Sequence, residues 1–429
     1  MTKRRVAVTG IGLVTPCGLG WKPYWQAVSE ARSHIRTLSS FSLNGFPSKF
    51  AGEIPDFKPA DFVKHRKLLK VMSREIQLAV AASWLALEDG GFAALGEADR
   101  ERFGVSIGTG IINNDLDEMG IGIRQGFDSE GQFHMAKFGA EGLPSLYPLW
   151  FLKYLPNMPA CHISISHNLK GPSNTVTTSS AAGAQAIGEA AQVIERGDAD
   201  LMLAGSTDSK VNAMGISRFQ LLGLLSTRNH VADRAYCPFD QNHDGIVLGE
   251  GAGLLVLEEW EHAHSRGARI YAEIVGYGSA ADFNCDPRSG EDFKGKRAAM
   301  MRAMETAEVE PSSIDFVMAN GSGIPQEDVQ EARAIEHAFG TSLGRLRVTG
   351  VKPVTGHLVY GSGAVEVAAS ILSLRELVIP PLMNLEAPDP ACDLPFVTGK
   401  AEPLAVRHAL LNSFGFGGQN ASLVLRRAS

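Results

Sequence analysis

Two stretches of this chain have a helical pattern yet consist almost entirely of small residues, and each follows a strand and a polar turn. The first runs Ala181-Ala-Gly-Ala-Gln-Ala-Ile-Gly-Glu-Ala-Ala191 after Thr175-Val-Thr-Thr-Ser-Ser180. The second runs Gly361-Ser-Gly-Ala-Val-Glu-Val-Ala-Ala-Ser370 after Val348-Thr-Gly-Val-Lys352 and Thr355-Gly-His357. Small side chains let other elements approach a helix closely, and a helix without a polar face belongs in the interior. Two copies of strand, turn and buried helix point to an internally duplicated α/β protein. The halves meet near Glu258 to Arg269, and we divide the chain as 1–257 and 258–429.

The 429 residues suffice for a large core. The formal net charge of −7 argues against a nucleic-acid binder, which would carry a basic excess, but a local basic patch for an acidic protein partner remains compatible with it. The start, Met1-Thr2-Lys3-Arg4-Arg5-Val6, lacks the apolar run and cleavage site of a secretory signal. No run approaches the ~20 apolar residues of a membrane span. Cys17, Cys161, Cys237, Cys285 and Cys392 are scattered and odd in number, which reads as reduced thiols in a cytoplasm. No His and Cys spacing suggests a zinc site, so no metal is expected. His162 and His167, five positions apart on an expected strand, would point to opposite faces.

The pattern predicts a strand over Arg5 to Gly10, a helix near Trp21 to Ala31, and a helix from Met72 stopped by Gly90-Gly91. A buried strand is expected over Phe103 to Gly110. The stretch from Ile111 to Met158, rich in Gly, Phe and Met, reads as an irregular insertion.

Further motifs are spread along the whole chain. They include Arg5-Val-Ala-Val-Thr-Gly-Ile-Gly12, Asn157-Met-Pro-Ala160, Gly171-Pro-Ser173 and Gly197-Asp-Ala-Asp200. Pro238-Phe-Asp-Gln-Asn-His-Asp-Gly245 and Leu248-Gly-Glu-Gly-Ala-Gly253 follow. Lys352 with Thr355-Gly-His357, and Asn412-Ser-Phe-Gly-Phe-Gly-Gly418, complete the set. Together they resemble the elongating β-ketoacyl-acyl-carrier-protein synthases of the thiolase superfamily. The resemblance implies a thiolase-like α/β fold, two duplicated halves in a five-layered α-β-α-β-α sandwich. It also implies a dimer, no bound cofactor, and a substrate carried on the phosphopantetheine arm of an acyl carrier protein.

The chain departs from the family at its reactive positions. Ser180 stands where the family has a cysteine nucleophile. A helix start favours an anion, but a hydroxyl there still needs a base, and a serine at such a turn often simply caps the helix. Asn320 stands for the first family histidine and can donate a hydrogen bond but cannot shuttle protons. Ser322 and Ile324 replace the two threonines beside the substrate arm. His357, supported by Lys352 and by the acid Glu366, keeps the family pattern, and the resemblance assigns it to the thioester carbonyl or the malonyl group, although a lone histidine in a buried turn is usually a hydrogen-bonded core residue. Gly415, Phe416 and Gly417 resemble the gate loop with its oxyanion-hole N–H, although a plain glycine turn reads the same. Lys64, Arg66, Lys67 and Lys70 form a basic run where the family docks its carrier, or a solvated face.

Four functions remain open on these residues. The first is an accessory subunit of the chain-length-factor type, paired with a cysteine-bearing ketosynthase. The second is a malonyl-carrier decarboxylase supplying acetyl-carrier. The third is an acyltransferase or condensing enzyme using Ser180 and His357. The fourth is a binding protein with a relict site, since a fold alone confers no activity.

Overall fold

The computed structural model describes residues 3–92, 96–283 and 293–428, so Cys285 lies outside the described residues. Five strands come from the first part of the chain: β1 (Val6–Thr15), β2 (Phe103–Gly108), β3 (Ser173–Val176), β4 (Leu201–Ser209) and β5 (Glu250–Glu259). Five come from the second: β6 (Ala272–Ala281), β7 (Phe316–Met318), β8 (Arg347–Thr349), β9 (His408–Phe414) and β10 (Gln419–Arg427). The principal helices are α1 (Trp21–Ser29), α2 (Arg74–Asp89), α3 (Met158–His167), α4 (Ala182–Glu195), α5 (Lys294–Thr306), α6 (Pro325–Phe339) and α7 (Ser362–Glu376).

The strand order establishes the duplication. The first set runs β3-β2-β4-β5-β1 and the second β8-β7-β9-β10-β6. In both sets the first three strands are mutually parallel and the remaining pairings antiparallel. The sets join where Val6–Val8 of β1 pairs with Ala272–Ile274 of β6. Between the two sheets lie α4 and α7; α2 and α3 cover one outer face, α5 and α6 the other. That is the five-layered thiolase-like sandwich expected from the resemblance.

The duplication extends to single residues. A turn, Ser179–Ala181, precedes α4, and its first residue has φ 56°. A turn, Val359–Gly361, precedes α7, and its first residue has φ 48°. A positive φ is uncommon away from glycine. The second residue of each helix is glycine. A Cβ on Gly183 would lie 2.9 Å from Ala364 N, and one on Gly363 would lie 2.8 Å from Ala184 N. The two helices therefore cross with their backbones in contact, which explains their small residues.

Two expectations need correction. His162 and His167 lie on α3, a helix, rather than a strand. Alternating Ile163 and Ile165 imitate a strand, but Pro159 in the first turn and left-handed Asn168 at the end delimit a helix. The stretch after Ile111 is also not wholly irregular. It holds a helix over Leu116–Gln125, capped by Asp115, and shorter turns up to Trp150–Tyr154. Glycines at 120 and 122 hide the helix; Gly122 is required, because a Cβ there would meet Gly142 O at 2.9 Å. The helices at Trp21 and Met72 begin as Trp21–Ser29 and Arg74–Asp89, close to expectation.

Gly183→Ala tests the central crossing. The added carbon would sit 2.5 Å from Ser206 Oγ as well as against α7. We expect a loss of about 1–3 kcal/mol in urea unfolding with an unchanged denaturant slope. Unaltered stability would show that the helices are not in backbone contact.

Candidate active site

Four loops converge between α4 and α7. Ser180 is fully buried on the first turn; its hydroxyl has no hydrogen-bond partner among the described residues, and its carbonyl accepts from Ser413 Oγ at 2.8 Å. The glycine-rich loop 415–418 follows β9 and presses on this turn. A Cβ on Gly415 would lie 3.0 Å from Thr178 O and 3.1 Å from Ser179 Cβ, a tight contact that sets the loop close against this turn. Phe416 stacks on the His357 imidazole with ring centres 5.3 Å apart, while Gly417 is exposed.

Asn320 follows β7. Its N–H and that of Gly321 donate to the two carboxylate oxygens of Glu331 on α6, at 2.7 and 2.8 Å. Glu331 also accepts from Asn412 Nδ2 at 3.1 Å. Burial pushes the Glu331 carboxyl up to about 7, against the pull of these donors. The Asn320 side-chain oxygen accepts from Lys352 Nζ at 3.1 Å and from Phe414 N–H at 3.3 Å. Both partners are donors, so the amide oxygen faces them and its NH2 group points the other way.

Lys352 also donates to the Asn320 carbonyl and pairs with Glu366 Oε1 of α7 at 2.5 Å. The Glu366 oxygens have no hydrogen bond of good geometry, so this contact is an ion pair first. Burial raises the Glu366 carboxyl, and Lys352 opposes that rise.

His357 is fully buried and locked at both ends of its backbone. Its N–H donates to Val247 O at 2.7 Å, and its carbonyl accepts from Gly249 N–H at 2.9 Å. The Leu248-to-Gly253 motif is thus the seat of the His357 loop. A Cβ on Gly249 would lie 2.4 Å from Thr355 O, and Gly356 takes φ 81°. His357 Nδ1 accepts from Val359 N–H at 3.0 Å, and Ser362 Oγ lies 3.4 Å away. An Nδ1 that accepts a backbone N–H carries no proton, so the neutral ring bears its hydrogen on Nε2. Burial, and then the nearby Lys352 charge, hold the imidazole well below its usual pKa. Among the described residues Nε2 has no hydrogen-bond partner. His357 therefore presents a hydrogen-bond donor to the site, not a base.

Ser322 and Ile324 lie in the loop between Asn320 and α6, and both are buried. The Ser322 hydroxyl donates to Asp328 Oδ1 at 3.3 Å and accepts from Ile324 N–H at 3.1 Å, so it is occupied within the loop. Ile324 is buried in a cluster with Leu225, Leu248 and Val359, with Phe416 packed against it. Lys64, Arg66, Lys67 and Lys70 are all exposed, with the Lys64 ammonium 4.7 Å from the Trp84 ring centre. Sequence reasoning missed Asp328 and Glu331. Asp328 fixes the loop by accepting from Phe239 N–H at 2.9 Å and Gly323 N–H at 3.0 Å, and His243 Nδ1 lies 2.9 Å away. Their signal was an acid pair one turn apart at the start of the helix that follows a glycine loop.

The profile of the Beta-ketoacyl synthase N-terminal domain matches residues 3–263, and that of the C-terminal domain matches residues 271–386. The chain belongs to the β-ketoacyl synthase family. It is 36% identical over 427 residues to 3-oxoacyl-[acyl-carrier-protein] synthase 2 of Coxiella burnetii, covering 100% of this chain and 99% of the relative. Its fold matches the ishigamide ketosynthase/chain length factor with a TM-score of 0.87 and 31% identity, over 100% of both chains. It also matches a type II polyketide synthase acyl-carrier protein in complex with its ketosynthase bound to the hexaketide, with a TM-score of 0.82, 29% identity and 100% coverage of both chains. The chain is a ketosynthase-like protein of fatty-acid or polyketide synthesis. Among the described residues, no helix of this ketosynthase-family chain is long and apolar enough to cross a membrane.

The buried neutral state of His357 has a measurable consequence. Its folded pKa lies below the unfolded value, so unfolding takes up a proton once the pH falls below about 6.5. Its contribution is complete above that pH and is lost as the pH falls toward the folded value. His357→Asn keeps an acceptor for Val359 N–H and removes the titration. The wild type should lose stability on going from pH 7 to pH 5 more steeply than the variant, by up to about 1.4 kcal/mol per pH unit. Equal slopes in urea titrations would mean that His357 is not buried neutral.

Proposed function

We propose that this chain is an accessory, chain-length-factor-type subunit of a fatty-acid or polyketide synthase, paired with a cysteine-bearing ketosynthase. The observation that carries this reading is the protonation of His357. With Nδ1 committed to Val359 N–H, the ring has no lone pair to offer Ser180, and Asn320 cannot replace it. A serine hydroxyl without a base is a poor nucleophile, so condensation through Ser180 is disfavoured. The same argument weighs against the acyltransferase alternative.

The molecular surface supports a partner chain. β3 is the end strand of its half, with Ser173 and Asn174 exposed, and an open edge is a template for strand pairing. The segment leading to it exposes Ile111 (62%), Met135 (73%) and Phe151 (56%), an apolar content usual at interfaces. The division of the chain as 1–257 and 258–429 belongs to the same reading. The exposed basic run at Lys64, Arg66, Lys67 and Lys70 suits an acidic carrier protein, which would present its phosphopantetheine-bound substrate to the assembled pair.

One observation favours a second reading, malonyl-carrier decarboxylation. The Asn320 NH2 and His357 Nε2–H are both donors, as an enolate oxygen requires. On this route the bond to the malonyl carboxylate breaks, carbon dioxide leaves, and the electron pair moves to the thioester oxygen held by these donors. Water then supplies the proton to the enolate carbon.

Co-expression with a cysteine-bearing ketosynthase tests the first reading. We expect a 1:1 complex by light scattering, with condensation dependent on the partner's cysteine and indifferent to Ser180→Ala. The purified chain alone should leave the intact mass of malonyl-carrier protein unchanged. Loss of carbon dioxide, abolished by His357→Asn, would instead establish the decarboxylase.

A further inference from the structure

A buried charged cluster lies next to the Ser180 turn and has no part in either function. Lys210, just beyond β4, donates to Asp208 and to Ile111 O at 2.7 Å, with Glu75 of α2 at 3.9 Å. All three side chains are almost wholly buried. Tyr360 connects this cluster to the site. It stands in the turn Val359–Gly361, three residues after His357, and its N–H donates to Asp208 Oδ2 at 3.3 Å. Its ring centre lies 5.5 Å from the Lys210 ammonium.

The ring itself packs on Val176, Ala182 and Ala186, the residues that flank Ser180 at the end of β3 and along α4. Its far side rests on Gly110. A Cβ on Gly110 would lie 1.9 Å from Tyr360 Cζ and 2.4 Å from its hydroxyl, so the ring could not keep this position against any other residue there. The space beside the turn is therefore filled by a phenol wedged between α4 and Gly110. Behind the phenol lie charges that an apolar chain could not solvate.

We propose that Tyr360, seated on Gly110 and held by the Asp208–Lys210–Glu75 cluster, is a specificity-determining residue that limits the acyl group at position 180 to malonyl size or smaller. This rests on the reading of the Ser180 turn as the acyl-facing turn of a ketosynthase-like chain. In an accessory subunit it keeps the growing chain out of this half-site. In a decarboxylase it selects the short substrate.

Alkylation of the Ser180→Cys variant tests the proposal without requiring turnover or a partner. The probes are iodoacetamide and its N-butyl and N-dodecyl derivatives, with labelling at position 180 read by peptide mass spectrometry. The chain's own cysteines serve as internal references. In Ser180→Cys we expect labelling by the dodecyl reagent at least ~10-fold slower than by iodoacetamide, as overpacking of a filled site demands. Adding Tyr360→Gly should close most of that gap. Tyr360→Ala serves the same purpose should the glycine variant fold poorly, as judged by circular dichroism. Equal labelling by all three reagents with Tyr360 in place would overturn the proposal. So would a gap that persists in both Tyr360 variants, or no labelling by iodoacetamide, because the barrier would then lie elsewhere. None of these outcomes depends on whether the chain is a scaffold or a decarboxylase.

Discussion

The buried ion pair of Lys352 with Glu366 is the constraint on which the site depends. It joins α7 to the helical turn that precedes His357, and both side chains are buried. Two bare charges are costly to bury, and loss of one partner leaves the other stranded, at about 3–5 kcal/mol. Lys352 spends its remaining donors on Asn320, at the carbonyl and at the amide oxygen. One ammonium therefore sets the distance between the Asn320 loop, the His357 loop and α7. Phe414 N–H adds β9 to the same amide oxygen. A single interior cation thus ties the Asn320 loop to α7, while backbone hydrogen bonds with Val247, Gly249 and Val359 fix His357.

The duplication explains where this network sits. Each half ends its third strand or its equivalent loop in a turn with a left-handed first residue, Ser179 or Val359, and then starts a helix whose second residue is glycine. The glycines Gly183 and Gly363 bring the helices together, and the two turns consequently touch. One turn contributes Ser180. The other contributes Val359 N–H, which fixes the His357 tautomer, and Tyr360, which packs on the residues around Ser180. The site is therefore built where equivalent parts of the two halves meet, and divergence between them supplies its chemistry.

Much of this is legible in the sequence. The small-residue helices and their preceding turns mark the central layer, because only close backbone contact gives an interior helix so many Ala and Gly positions. The motifs at Leu248 and Thr355 are recognisable separately, but their mutual seat depends on backbone hydrogen bonds between Val247, Gly249 and His357, which no side chain announces. α3 reads as a strand because Ile163 and Ile165 alternate with serines, while the helix is decided by its ends. Tyr360 gives no signal, since an aromatic before a buried helix looks like any core residue. Its significance comes from Gly110, 250 positions away in the chain.

The structure also removes an apparent contradiction. Ser180 and Asn320 point away from condensation, yet Lys352, His357 and Phe416 remain, as though selected for catalysis. Each has a structural role that does not depend on chemistry. Lys352 neutralises Glu366 and orients Asn320; His357 Nδ1 caps the turn before α7; Phe416 covers the imidazole face and packs on Phe219. Their retention is what the fold requires of either a scaffold or an enzyme, and so it cannot choose between them. Two groups have no such structural role. One is the His357 Nε2–H, which no part of the fold uses, and the other is the Asn320 NH2, turned away from the donors that hold its oxygen. With the Ser180 hydroxyl, which likewise has no partner among the described residues, these two donors are the groups through which the chain would act on a thioester. That is why His357→Asn, which keeps the structural acceptor and deletes the idle donor, separates the two functions where His357→Ala would confound them.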